Sequence, residues 1–180
     1  MKRLAILTIG KTHSGKSTFA KLLKSNLPNS IVIDQDNHAT FLNTYYSSLV
    51  PQTGDNTLKT GLSKFIIQYA IEHALKDIIL CNANLRKDQR KSLIEQFFPQ
   101  NQFIPVFVYF EITDELLQER ILASNRKTNI FRDETMTFKE LLHNQGKLVQ
   151  PTEDEADYLF IITETTDQMS VIEDIKKLKR

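Results

Sequence analysis

Residues 10–17 read Gly10-Lys11-Thr12-His13-Ser14-Gly15-Lys16-Ser17, a complete G-x-x-x-x-G-K-[ST] stretch. An apolar run, Leu4-Ala5-Ile6-Leu7-Thr8-Ile9, leads directly into it, and a helical pattern from Ser17 to about Ser25 leads out. Strand, glycine-bounded turn and helix in that order read as a phosphate-binding loop. Gly10 and Gly15 let the backbone curl so that successive N–H groups face phosphate oxygens. The new helix adds its positive end. In this reading Lys16 reaches the β- and γ-phosphates of ATP and the Ser17 hydroxyl holds Mg²⁺, while Lys11, Thr12, His13, Ser14 and Thr18 complete the cradle. At average residue usage the four fixed positions match by chance in on the order of one chain of this size in a few hundred.

Outward from the loop, short apolar runs alternate with helical patterns. This predicts an α/β, three-layer phosphate-loop fold: a five-stranded parallel sheet with helices on both faces, as in mononucleotide kinases. The strands fall at about 3–9, Ser30–Asp34, Asp77–Cys81, Ile104–Phe110 and Tyr158–Ile162. Ile31-Val32-Ile33 reads as a buried parallel strand. A short helix is predicted over 39–49, an exposed polar loop over 50–57, and a helix over 61–75 with Leu62, Phe65, Ile66, Tyr69 and Ala70 on its apolar stripe. His73 continues that stripe and reads as a packed histidine. A helix around 86–98 turns Leu93, Ile94 and Phe97 inward, and Thr113 caps the helix carrying Leu116, Leu117 and Ile121. A short helix near 136–144 follows, and Ser170-x-x-Glu173 offers a capping box to the last helix.

The 180 residues read as one phosphate-loop domain over 1–180. Charged residues make up 25% and the net charge is +1, so no global basic field points to nucleic acid or an anionic membrane. No apolar stretch reaches about 18 residues, the length a membrane span needs. Met1-Lys2-Arg3 before an apolar run faintly resembles a signal peptide, but the phosphate loop stands where a cleavage site belongs. The lone cysteine, Cys81, forms no internal disulfide and suits a reducing cytoplasm; it reads as a small core residue.

In a sheet of this type, ligands sit at the carboxyl ends of the strands. That should bring to the loop the segments 34–38, 81–86, a basic connector over 124–133 and the stretch before the last strand. Phosphoryl transfer to a hydroxyl needs a carboxylate that takes or orients the acceptor proton. Asp36 is assigned that role, with Asp34 in reserve at the substrate or behind the metal and His38 as a weaker alternative base. The connector is a candidate mobile lid: Arg126 would stabilise the transferred group, Arg120 would sit on the helix beneath, and Arg132 lies beyond. Asn82 and Asn84 end the third strand where many phosphate-loop enzymes place an acid, and Arg86 offers a cation to an anionic substrate group.

Leu7-Thr8-Ile9-Gly10 leading to Ser14-Gly15-Lys16-Ser17-Thr18 resembles the AAA-type small kinases grouped around the 5′-hydroxyl kinase domain of phage polynucleotide kinase. Ile78-Ile79 followed by Asn84-Leu85 and Arg90 is similar to that family's third strand and next helix, and Gln150-Pro151-Thr152-Glu153-Asp154-Glu155-Ala156-Asp157-Tyr158 to its stretch before the last strand. The resemblance implies an ATP-dependent kinase with Asp36 as base and Arg120 and Arg126 as lid arginines. Two positions depart from it, both on the acceptor side. His38 or Ala39 stands where an arginine is expected, and Asn82 replaces an acid.

Two functions follow. One is an ATP-dependent phosphotransferase acting on a hydroxyl of a small metabolite, a nucleoside or nucleotide, or a 5′-hydroxyl polynucleotide end. The other is a nucleotide-binding ATPase or regulatory switch without an acceptor. The missing strand-three acid favours the switch; the lid, and the lack of a guanine-specificity motif, favour the kinase.

Overall fold

The computed structural model describes residues 2–146 and 148–179. At its centre lies β1, Arg3–Ile9, where Leu4 and Ile6 face one side and Ala5, Leu7 and Ile9 the other. Both faces are buried, which is why the run is apolar throughout rather than alternating with polar residues. The other strands are β2 (Ser30–Asp34), β3 (Asp77–Cys81), β4 (Phe103–Phe110) and β5 (Tyr158–Ile162). All pair in parallel, in the order β2-β3-β1-β4-β5. β4 tolerates Pro105 because its carbonyl, and so its absent N–H, faces β5 at Asp157, just before that strand begins.

On one face α1 (Lys16–Asn26) and α7 (Gln168–Lys177) set Phe19, Leu23, Ile172 and Ile175 against Leu4, Ile6 and Phe110. On the other, α3 (Thr57–His73) and α4 (Lys87–Phe97) set Ile67, Ala70 and Phe97 against Ala5, Leu7 and Phe107. Each such fully buried large side chain stabilises the fold by about 1.5–3 kcal/mol. Three further helices, α2 (Gln35–Tyr45), α5 (Asp114–Leu122) and α6 (Phe138–Asn144), complete the described set; α2 packs on α3, and α5 on α6. This is the three-layer α/β fold that the alternation predicts. The chain leaves β1 for β2 on one side and crosses from β3 to β4 on the other, so the winding reverses at β1's carboxyl end, where ligands bind in such sheets.

Several local expectations are corrected. The helix predicted over 39–49 runs instead over Gln35–Tyr45: Asp34 accepts the Asp36 N–H at 2.9 Å and caps α2, which starts directly after β2. α3 starts at Thr57, because Asn56 caps it through the Lys59 N–H at 3.0 Å. Its inward stripe is Ser63, Ile67 and Ala70, with Ile66 partly buried; Phe65 and Tyr69 are 67% and 54% exposed. The small Ser63 and Ala70 let α3 approach its neighbours, and this turns the aromatics outward. His73 is exposed too, stacked on Tyr69 at 4.2 Å. β2 is an edge strand, so Ile31 and Val32 are only partly buried. The cap of α7 is Asp167, which accepts the Met169 N–H at 3.0 Å, and not Ser170. No helix of the described residues is long and apolar enough to cross a membrane.

Candidate active site

β1 delivers the chain to Gly10, where a Cβ would lie 2.9 Å from Ser14 Oγ and 3.0 Å from Phe110 Cβ. That close approach, fixed by a 2.9 Å bond from the Gly10 N–H to the Ala83 carbonyl, requires glycine. Gly15 caps α1 at φ 102°, a second position that excludes a side chain without strain. His13 also has positive φ, 58°.

Lys16 reaches back over the loop, donating to the Lys11 carbonyl at 2.5 Å and to Ser14 Oγ at 3.2 Å. Burial presses its pKa down to about 8. The Ser17 hydroxyl donates to Asp34 Oδ2 at 2.9 Å. The register of β2 on β3 pairs Asp34 with Cys81, whose Sγ is 3.5 Å from Ser17 Oγ. Burial pushes that thiol up to about 11, so it stays neutral. A hydroxyl and a carboxylate this close are hard oxygen donors that suit Mg²⁺. Among the described residues no group of three or more His, Cys, Asp and Glu is arranged for a metal. Mg²⁺ would therefore be held by Ser17 and Asp34 together with nucleotide oxygens.

Across the cleft, Asp36 on the first turn of α2 meets Arg126: Nη2 to Oδ2 is 2.5 Å. The Arg126 guanidinium also lies 4.9 Å from the ring centre of Phe138 on α6, which packs edge-on against His13 at 4.7 Å. Burial, and then the charges of Arg126 and Lys16, lower the His13 pKa and favour the neutral ring. Gln145 accepts the Thr12 N–H at 2.8 Å. Arg120 stays under the loop, donating to the His13 carbonyl at 3.3 Å. The Lys11 ammonium turns away to Asp114, at 2.7 Å. Asn82 remains on the cleft wall, donating to Gln35 Oε1 at 2.8 Å.

The structure thus brings Lys16, Ser17, Thr18, Asp34, Asp36, Asn82 and Arg126 into one cleft. It does not bring Asn84 or Arg86 there. Asn84 is 5% exposed at φ 48° and donates to the Thr8 carbonyl at 2.8 Å, so it braces the end of β1. Arg86 is exposed and pairs outward with Asp88 at 2.5 Å. His38 bonds Ser63 Oγ at 2.8 Å and faces α3 rather than the cleft. Arg132 is bound to the Pro51 and Gly54 carbonyls, at 2.6 and 2.9 Å. The stretch before β5 stops short as well, because Glu155 is held by Arg90 at 2.8 Å. Sequence reasoning misses Gln145, Phe138 and Lys59, all of which border the site. Phe138, an aromatic just beyond a basic connector, offers a faint signal; a glutamine after a helix end offers none.

A parallel sheet with this loop at its switch point, and with a lysine, a serine and two carboxylates around the loop, defines a P-loop nucleotide-binding α/β protein. The chain belongs to the AAA domain family (AAA_33), whose family model matches residues 6–147. No match is found among curated proteins. Among solved structures, a protein of Chloroflexus aurantiacus J-10-fl superimposes with a TM-score of 0.72 at 14% identity, over 98% of each chain. Kti12 of Chaetomium thermophilum, solved in complex with ADP-AlF3, gives 0.64 at 19%, over 96% of this chain and 97% of that one. The shikimate kinase of Bacteroides thetaiotaomicron gives 0.60 at 16%, over 98% of each. At these identities the likeness is one of fold.

Proposed function

We propose that the chain is an ATP-dependent phosphotransferase that moves the γ-phosphate to the hydroxyl of an acceptor. One observation carries the reading: Asp36 and Arg126 meet at 2.5 Å in the cleft that contains Lys16 and Ser17. A carboxylate there serves an acceptor hydroxyl, and a guanidinium beside it serves the group in flight. Kinases of the same fold, such as the shikimate kinase, support it, as does the nucleotide in the Kti12 complex.

In this mechanism the Lys16 ammonium leaves the Lys11 carbonyl for the phosphates, and Arg126 moves from Asp36 to the transferring group. Asp36 is thereby freed to accept the acceptor's proton. Ser17 and Asp34 would hold Mg²⁺, which when bound would supply positive charge at the phosphates. Residues 124–133 act as a lid on a single domain over 1–180. The connector's place on the cleft wall supports this, and Asn43 on α2 holds it there through the Asn129 and Phe131 carbonyls, each at 2.9 Å. The contact of Asp34 with Ser17 also weakens the case for a switch, since a carboxylate from β2 does what β3 lacks. The net charge of +1 favours a small acceptor over the polynucleotide end of the phage enzyme.

The test is ADP formation from ATP and Mg²⁺ across a panel of polyols, hydroxy acids, sugar phosphates, nucleosides and 5′-hydroxyl oligonucleotides. At least one class should raise turnover well above the rate with ATP alone, and Lys16→Ala should abolish it. Hydrolysis indifferent to every acceptor would leave an ATPase.

A further inference from the structure

We infer that Lys59 selects the acceptor, favouring a hydroxyl compound that also carries an anionic group, a carboxylate or a phosphate. The inference rests on the phosphotransferase reading above. Lys59 lines the cleft that contains Lys16, Asp36 and Arg126. It also lines a second, adjoining cavity bordered by the amides of Gln35, Gln52, Asn56 and Gln89. It therefore stands in the wall the two share, where one end of an acceptor would rest while its hydroxyl points at Asp36.

The other cations around the cleft are engaged or in water. Lys16 is held by the Lys11 carbonyl, Arg126 by Asp36, and Arg120 by the His13 carbonyl. Lys21 and Lys127 are exposed. Lys59 is half-buried, and among the described residues no carboxylate lies within 4.0 Å of its ammonium. Its ammonium keeps contact with solvent and is free to pair with an anion that enters the cleft. It stands on the first turn of α3, where no acid offsets it and the positive end of the helix adds to the local positive potential. Asp55, Asp133 and Glu134 on the second cavity are all exposed, and Asp133 already accepts the Thr135 hydroxyl at 2.6 Å. An anionic group on the acceptor would pair with Lys59 and meet the positive end of α3, and the surrounding amides are suited to its hydroxyls.

The experiment fills the phosphate loop with Mg²⁺ and a non-hydrolysable ATP analogue, then titrates the protein with inorganic phosphate, glycolate and, as a neutral control, glycerol. Binding is followed by chemical shift. Phosphate or glycolate should bind saturably, and whichever binds more tightly identifies the acceptor's anionic group. Lys59→Gln should weaken that binding about tenfold, the usual effect of losing one charge-assisted hydrogen bond. Lys59→Arg should retain most of it, Lys91→Gln, on α4 away from both cavities, should leave it unchanged, and affinity for the ATP analogue should stay the same in all three. Glycerol binding as well as the anions, anion binding indifferent to Lys59→Gln, or a loss of nucleotide affinity in that variant would each overturn the inference. The two readings fail separately. Lys59-dependent anion binding without acceptor-stimulated turnover keeps Lys59 and removes the kinase. Turnover on neutral polyols without anion binding keeps the kinase and removes the role of Lys59.

Discussion

Lys16 is a cation without an anion, tucked against a carbonyl 2.5 Å away and held by burial at a pKa of about 8. Bound phosphates favour its charged form, so the complex keeps a proton that the free protein loses as the pH rises through about 8. Affinity for ATP should therefore be steady below that point and fall above it, by up to about tenfold per pH unit. Calorimetric titration on both sides of pH 8 measures this; an affinity that holds or climbs on the alkaline side would remove charged Lys16 from binding. Asp36 gives a second test. Asp36→Asn keeps the shape and loses the basic oxygen, so Mg²⁺-dependent ATP binding should survive while acceptor-dependent turnover drops by at least about a hundredfold. Lost Mg²⁺ dependence would make Asp36 a metal residue, and unchanged transfer would eliminate it. The meeting of Lys16, Ser17, Asp36 and Arg126 in one cleft is legible in the sequence, the first two from the spacing of the loop, Asp36 from its place just after a strand and Arg126 from a basic connector. Gln145 and Lys59 are not, because each gains its meaning only when a distant helix arrives beside the loop.

At the scale of elements, the least expected device is Arg90 on α4, which is fully buried. It pairs with Glu155 through two bonds of 2.8 and 2.9 Å and donates to the Asn84 and Val149 carbonyls at 3.1 and 3.0 Å. One side chain thus joins the turn after β3 to the stretch before β5. Arg90→Leu would leave the Glu155 carboxylate, whose side chain is 5% exposed, with only Thr152 and a distant Lys87 as partners, at a cost of about 3 kcal/mol. In a chain of this size the melting temperature should drop by about 10 °C, and replacing both partners with apolar residues should recover much of it. A thermal scan showing a single-variant loss of under about 2 °C would contradict this account. The strands themselves are legible from apolar runs alone. The edge position of β2 is not, since strand order is absent from local pattern, and neither is the rotation of α3. There, Phe65 and Tyr69 satisfy the helical period as well as Ser63 and Ala70 do, and only packing against α2 and the sheet decides between them.

For the whole molecule, the proposed lid makes a prediction about where stability resides. Residues 124–133 are largely exposed and are held by Arg126 on Asp36, Arg132 on the 51–54 carbonyls and Asn43 on α2. The sheet, by contrast, is buried on both faces. Amide hydrogen exchange should therefore be fast over 124–133 and slow in β1, β3 and β4 in the free protein. Mg²⁺ with a non-hydrolysable ATP analogue should slow the connector and the phosphate loop together. Protection confined to the loop would leave the connector without a part in nucleotide closure.

The Asn43 tether has a kinetic meaning. α2 bears Asp36 on its first turn and, about two turns on, the amide that grips the connector. In the proposed kinase, proton removal from the acceptor and the opening that lets product escape would thus hang on a single rod. Loosening the grip at Asn43 would shorten the dwell time of product and of unreacted acceptor alike. Where release limits the cycle, such a variant would turn over faster; where chemistry limits it, more acceptor would depart unreacted for each one phosphorylated.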